Sequence, residues 1–412
     1  MSRKSFIALS ILSTLVLPAV SKAEGTDLES LRQQLQLQQQ QIDALATALE
    51  KQQSGNTGLS AGKTTLGGYG ETYFKHIDGS KDEFDAYRLV LFVGHQFSDK
   101  LRFASELEVE HALVQDTSNT CTFTDKDGDG VVDAAELSCA STAKTNGYVA
   151  LEQLFLEYRY AENHRAAVGQ MLVPVGILNE THEPDTFYGV FRAPVEREIV
   201  PGTWYETGVM ASGSIAPGLS YDAMFSSGLK SSEGKIKDGR QRGSKADGSD
   251  LAYTARLKYT GLPGVEFGVT WHQQADMSQG GAKVAGTDMN ASLAEAHVAL
   301  KRGAFGLRAL YAEWDLNDAA MAAADRKRSG QKGWYVEPSF KVLPEVGIFA
   351  RYSVWDNEAA DAADSEWQES SVGVNWWLHE RAVLKADLQR RDDPNPANPD
   401  QDGFNVGLGF SF

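Results

Sequence analysis

The segment Gly403-Phe404-Asn405-Val406-Gly407-Leu408-Gly409-Phe410-Ser411-Phe412 alternates apolar and small or polar residues without a break. Successive side chains of a β-strand point to opposite faces, so Phe404, Val406, Leu408, Phe410 and Phe412 share one side and Asn405, Gly407, Gly409 and Ser411 the other. One face suits lipid and the other water. The same reading holds for Leu101, Phe103, Leu107 and Val109 against Arg102, Glu106, Glu108 and Glu110, and for Leu384, Ala386 and Leu388 against Lys385, Asp387 and Gln389. Roughly fifteen or sixteen such segments follow one another from about Leu66 to Phe412. Their length matches the roughly 9 to 11 tilted residues with which a strand crosses a bilayer.

A soluble sandwich also alternates, and the connections separate the two cases. One set is short: Ser98 to Lys100, Glu162-Asn163, Pro217-Gly218, Leu262 to Gly264, Arg302-Gly303, Leu343 to Glu345 and His379 to Arg381. The interleaved set is mostly long, at about 114–146, 171–203, 228–250, 276–290, 315–330, 356–365 and 391–401. Short turns at one rim and long loops at the other are expected of an outer-membrane barrel, because only one rim faces the exterior. The expectation is an all-β, transmembrane antiparallel barrel of about sixteen strands over residues 64–412, preceded by a short coiled-coil helix.

The composition is compatible with this. With 42% apolar residues and a mean hydropathy of −0.35, a bundle of membrane helices is excluded: beyond the amino terminus no stretch approaches ~20 consecutive apolar residues. Residues 1–23 read as a signal peptide, with Arg3 and Lys4 at the charged start, an apolar run from Phe6 to Val20, and Ser21-Lys22-Ala23 as the cleavage site. Removal of Arg3, Lys4 and Lys22 takes the formal charge from −17 to −20, which argues against a nucleic-acid partner.

Leu28, Leu31, Leu35, Ile42, Leu45 and Leu49, with Gln38 in the missing place, form an a/d heptad series within residues 24–51. About three heptads are marginal alone, so a periplasmic coil here needs association, and a solitary spacer is the other reading. Three strands would suit barrels that pack as a homotrimer, although Leu at most a and d positions does not fix the number. Residues 52–63, rich in Ser and Gly, read as a flexible linker.

In the first very long connection, Asp125-Lys126-Asp127-Gly128-Asp129-Gly130-Val131-Val132-Asp133-Ala134-Ala135-Glu136 fits every position of a twelve-residue EF-hand loop. Asp125, Asp127 and Asp129 would offer side-chain oxygens, Val131 its carbonyl, Asp133 a direct or water-mediated contact and Glu136 a bidentate carboxylate. Such a density of acid repels itself without a cation, and calcium fits best, in a structural role; a solvated acidic loop is the alternative. Cys121 and Cys139, the two cysteines of the chain, bracket this loop and are expected to pair outside the cytoplasm. Closing a loop of about 17 residues contributes on the order of 3 kcal/mol in the chain-entropy picture. A weaker acidic cluster, Asp392, Asp393, Asp400 and Asp402, fits no template.

The stretch from about 171 to 203 is too long for a turn and too apolar for a solvated loop, with Ile177, Leu178, Phe187, Tyr188, Phe191, Val195 and Ile199 spread through it. It is expected to fold into the lumen and present Glu180, His182, Glu183, Asp185, Arg192, Glu196, Arg197 and Glu198 at a constriction, where rows of charge bias ion entry. Lys230, Lys235, Lys237, Arg240, Arg242 and Lys245 form a basic run in the next long loop. It would draw anions to the mouth, bind lipopolysaccharide phosphates, or lie paired with neighbouring acids. The lumen side of the wall is mixed, with Arg102, Arg159, Arg351 and Lys385 against Glu71, Glu106, Glu108, Glu110, Glu157, Glu295, Glu337 and Asp387.

Over about 64–412 the chain resembles the phosphate-selective porin O/P family. The resemblance rests on Leu66-Gly67-Gly68-Tyr69-Gly70-Glu71, on Val173-Pro174-Val175-Gly176-Ile177-Leu178-Asn179-Glu180-Thr181-His182-Glu183-Pro184 and on the aromatic carboxy terminus. It implies a sixteen-stranded, usually trimeric barrel in the outer membrane of a Gram-negative bacterium, serving passive diffusion of small hydrophilic solutes or ions. Phosphate-specific members resemble one another in a ladder of lumen arginines, and here many of those positions hold glutamate. The calcium-loop insert looks like an addition to that plan. Pro338 falls inside an expected strand and would demand a bulge or a water.

The alternative class is a structural or adhesive protein that uses the barrel as an anchor, for which the calcium-loop insert and the coil argue. An enzyme is not expected: His95, His111, His272 and His297 lie near strands, and none has a motif partner.

Overall fold

The computed structural model describes residues 63–112, 116–123, 137–144, 147–281 and 284–412. The signal, the coil, nearly all of the linker and the calcium ligands Asp125 to Glu136 lie outside the described residues.

The chain begins with β1 (Thr64–Ile77), β2 (Glu83–Ser98) and β3 (Leu101–Glu110). A separate two-stranded sheet follows, β4 (Asp116–Phe123) with β5 (Leu137–Lys144). Then come β6 (Tyr148–Ala161), β7 (His164–Leu172), a one-turn helix α1 (Val195–Glu198), β8 (Tyr205–Ala216), β9 (Leu219–Ser226), β10 (Ala252–Tyr259) and β11 (Val265–Gln274). The chain ends with β12 (Ala291–Arg302), β13 (Phe305–Leu316), β14 (Gly330–Leu343), β15 (Val346–Asp356), β16 (Trp367–His379), β17 (Ala382–Asp392) and β18 (Gly403–Ser411).

All but β4 and β5 form one closed barrel of sixteen antiparallel strands, each bonded to its neighbour in sequence except where β3 pairs β6. The closure joins β1 to β18, and Gly68 and Phe412 exchange two backbone hydrogen bonds there, of 3.0 and 2.9 Å. Closure satisfies every sheet edge, which a strand needs if it is to lie in hydrocarbon. Along β18 the expected alternation is complete: Phe404, Val406, Leu408 and Phe410 face outward, while Asn405, Gly407 and Gly409 are buried. Trp271, Phe267, Val372, Trp376 and Leu388 continue this apolar outer surface on other strands.

β2 shifts register against β1 next to Arg88, and two further details bear on the alternation. In β6, Leu151 pairs with Leu107 but Gln153 pairs with Glu106, so Glu152 is the extra residue of a β-bulge. The bulge turns Glu152 inward beside its neighbour's acids, and its side chain is buried. Pro338, by contrast, needs no bulge: the register of β14 on β15 is the same before it, Val336 to Tyr352, and after it, Ser339 to Phe349. The ladder forgoes one donor and keeps its frame, and the shift in β14 comes later, between Lys341 and Leu343.

The lumen is less uniformly polar than a water-filled wall would require. Ala291, Leu293, Leu310, Ala312, Trp314 and Tyr335 point inward from the wall and join Val175, Val195, Ile199, Trp204, Leu229, Ile236, Met277 and Met289 in one buried apolar core. The inward segment brings apolar side chains into the barrel, and these need apolar wall to cover them. In the separate sheet, the backbone register sets Cys121 directly opposite Cys139.

Candidate functional site

Residues 173–204 enter the barrel as a loop between β7 and β8. Its two ends are tied by a backbone bond from Val173 N to Trp204 O of 2.9 Å. The Asn179 amide completes the knot, donating to the carbonyls of Val173 (2.8 Å) and Trp204 (2.9 Å) while its oxygen accepts from Trp204 N (2.7 Å). A second tie is the Glu196 carboxylate, which accepts from Leu178 N (2.6 Å), Ile177 N (3.0 Å) and the Tyr335 hydroxyl (2.5 Å). It comes so close to Gly176, in the left-handed region at φ 69°, that a Cβ there would sit 3.0 Å from its Oε2. Thus Glu196, read from the sequence as a constriction residue, acts as an anion clamp for loop backbone.

The wall grips the loop from many strands. Arg308 donates to Thr186 O (2.9 Å), Asn375 to Phe187 O (3.0 Å), and Arg351 to Phe191 O (3.2 Å) while pairing with Glu337 (3.1 Å). Val190 N donates to Asp387 (2.6 Å), and Ser411 donates to Asp185 (2.8 Å). Glu180 pairs with Arg256, which also holds Asp222 at 2.7 Å. Such buried donors and acceptors are satisfied only if the loop stays where it is, so the crossing is fixed.

Three cavities lie along the barrel. The one near the long connections, about 770 Å³, is lined by Lys75, Asp78, Glu83, His111, Arg391, Asp393 and Asp400. A central one, about 270 Å³, is lined by Glu71, Arg88, Glu108, Glu110, Glu152, Arg192, Arg197, Glu198, Lys237, Arg240 and Arg242. The third, about 620 Å³, lies near the short turns against Asp185, Tyr188, Glu266, Lys301, Arg308 and Lys341. Tyr87, Phe191 and Arg197 border both the first and the central cavity. Phe187 borders both the central cavity and the third. The cavities therefore run in series, with the inward loop contributing to each partition.

Of the eight residues expected at the constriction, Arg192, Arg197 and Glu198 line the central cavity. Asp185 lines the inner one. His182 is buried against Glu106 and Glu152, and Glu183 is half-buried, its carbonyl accepting from Thr186. Of the basic run, Lys237, Arg240 and Arg242 reach into the central cavity, Lys237 pairing with Glu198 at 3.0 Å and Arg242 lying 5.1 Å over the Tyr148 ring. Lys230 and Lys235 pair locally with Asp247 (2.9 Å) and Glu233 (2.6 Å). Hydrogen bonds from Ser249 and Lys230 hold the Asp247 carboxyl down to about 2.

Three residues of this region escaped sequence reading. Arg88, in the central cavity, sits in β2 between Glu71 (2.7 Å) and Glu108 (3.1 Å); Arg256, under the loop, is the corresponding buried cation of β10. Arg256 stands on the inward parity of its strand, a signal that was available, whereas Arg88 shares the parity of outward Phe84 and Ala86 and turns inward past a register shift in β2. Glu152 had no such signal, because the bulge that turns it inward breaks parity.

Residues 203–396 match the model of a family described as Gram-negative porin. An uncharacterized protein of Aquifex aeolicus (strain VF5) is 26% identical over 380 residues, which is 84% of this chain and 80% of that protein. Among solved structures, the outer membrane channel DcaP of Acinetobacter baumannii matches with a TM-score of 0.54 at 13% identity, over 86% of this chain and 99% of that one. The outer-membrane expressed OmpT of Vibrio cholerae matches with a TM-score of 0.54 at 12% identity, over 86% and 99%. At these identities the structural likeness is one of fold. The family model thus matches the second half of the barrel, and the likeness to these solved outer-membrane proteins extends over 86% of the chain as fold.

Proposed function

We propose that the chain is an outer-membrane porin for passive diffusion of small hydrophilic solutes or ions. The observation that carries this is the series of three cavities, each lined by charged side chains and partitioned by a loop that the wall fixes in place. No catalytic constellation is needed for such a task.

The central cavity favours small anions, phosphate included. Its lining sets six cations, Arg88, Arg192, Arg197, Lys237, Arg240 and Arg242, against five carboxylates, Glu71, Glu108, Glu110, Glu152 and Glu198, and Arg192, Arg197, Arg240 and Arg242 form no ion pair with a carboxylate among the described residues. Guanidinium groups that face water in a narrow passage attract anions and repel cations. A disulfide between Cys121 and Cys139 and a calcium ion would stiffen the insert, and the amino-terminal coil would gather barrels into a homotrimer.

Single-channel recording of the purified protein in planar bilayers, with a salt gradient and added phosphate, tests both levels. The expected result is conductance in steps of three, a reversal potential of anion sign and partial block by phosphate. A cation-signed potential would overturn the anion preference and keep the porin. Silence from protein shown to be folded would overturn the porin and leave the barrel as an anchor.

A further inference from the structure

Behind the inward loop, Glu106 of β3, Glu152 of β6 and His182 of the loop bring one ligand-type atom each to within 4.8 Å of one another, and all three side chains are buried. Glu106 Oε1, Glu152 Oε2 and His182 Nε2, the atoms that converge, have no hydrogen-bond partner, although the other oxygen of Glu106 accepts from Gln153. His182 Nδ1 lies 3.0 Å from the carbonyl oxygen of Asn179, so in the neutral ring Nδ1 carries the proton and Nε2 turns its lone pair to the two carboxylates. Three acceptors aimed at one buried point demand a cation.

A proton on Nε2 serves that demand poorly. Nε2 is 3.4 Å from Glu106 and 3.6 Å from Glu152, beyond the ordinary range for an N–H···O bond of about 2.7–3.2 Å. Those same separations suit ligands that share an ion: tetrahedral bonds of about 2.0–2.2 Å require ligand-to-ligand edges of roughly 3.3–3.6 Å.

We infer that Glu106, Glu152 and His182 form a site for a divalent first-row transition ion, zinc being the natural occupant. One imidazole with two carboxylates is the donor set of such an ion, whereas calcium and magnesium prefer oxygen alone. The second shell is present: the Asn179 carbonyl orients the imidazole, and Gln153 orients Glu106. Glu152 also lines the central cavity, which gives an entry path and leaves a coordination position open toward it. The β-bulge that turns Glu152 inward brings the third ligand in, and bulges commonly re-aim a side chain at a functional point. Arg192, whose guanidinium reaches the His182 carbonyl at 3.5 Å, is the opposing charge, and two carboxylates outweigh it. The ion would staple the inward loop to the wall.

The test uses the full chain, stripped with chelator and held in excess calcium so that oxygen-only sites are filled. Zinc is added, the protein is desalted and retained metal is counted; cobalt replaces zinc for the visible spectrum. Expected are one zinc per chain and the intense d–d bands of low-coordinate cobalt, with affinity lowered at least tenfold in Glu152→Gln and His182→Gln. Heat-modifiable gel mobility confirms that each variant barrel is closed. Equal retention in wild type and both variants, or no retention by the wild type, would overturn the site and leave His182 as a cationic bridge between the glutamates.

Discussion

Lys385 Nζ stands 3.6 Å from the centroid of the Phe187 ring, with both side chains buried. Its nitrogen makes no hydrogen bond among the described residues, and the ring face lies against it while the carboxylates of Glu71 and Asp387 act on it from further off. A desolvated pair of this kind contributes about 2 kcal/mol. It holds Phe187 upright at the one place where the central and inner cavities meet.

Phe187→Ala should therefore join the two cavities and raise single-channel conductance severalfold. Removal of a buried phenyl ring should also lower stability by about 3–5 kcal/mol, which a denaturant midpoint in detergent reads directly. An unchanged conductance from closed barrels would show that Phe187 is not the narrowest point.

Asn179→Ala removes three hydrogen bonds at the base of the loop and leaves the Val173 carbonyl and the Trp204 amide with one partner fewer. The expected loss is on the order of 3 kcal/mol. Because the knot fixes the crossing and not the wall, the variant should still close its barrel and should show flickering current in place of steady steps.

The backbone register sets Cys121 opposite Cys139 on two antiparallel strands, where paired Cα atoms lie about 4.5–5.5 Å apart, within the span of a disulfide. Reduction should shift the mobility of unboiled protein and open the insert to protease. Chelation of calcium should do the same more weakly with the disulfide intact. If neither treatment changes cleavage, crosslink and ion have no shared role.

Asp247 titrates at about 2 when its loop is folded and near 3.9 when it is not. The depressed value means that the contribution is full above the unfolded pKa and is lost as pH falls through the folded one. The loop from Lys230 to Asp250 should keep its fold down to about pH 4 and loosen between about 4 and 2. Asp247→Asn should abolish that window, as acid proteolysis or a carboxylate NMR titration would reveal.

The barrel was legible because a two-residue period and the rhythm of short and long joins are properties of the sequence alone. The turns at Glu162-Asn163, Pro217-Gly218 and His379 to Arg381 fall where the strands end. The inward loop was legible too, from its length and apolar content. What each charged loop residue does was not. Glu196 and Arg192 are equally acidic or basic on paper, yet one clamps backbone and the other lines a cavity, a division set by tertiary contact with Tyr335 and Thr203. The insertion of Glu152 was hidden for a different reason: a bulge changes parity with no residue that announces it. Apolar lumen positions such as Leu293 and Trp314 obey the alternation with the wrong polarity, because their solvent is the loop.

The bonds between Gly68 and Phe412 carry a last consequence, for the time course of folding. The strand that seals the first strand of the barrel is the last of its strands in chain order. Until it arrives, β1 presents a long unpaired edge, and the pairing it awaits spans nearly the whole described chain. Contacts so distant in sequence form slowly, and open edges invite pairing with other chains. No partial barrel can be stored by growth from one end. The barrel commits to its shape only when its final aromatic strand is in place.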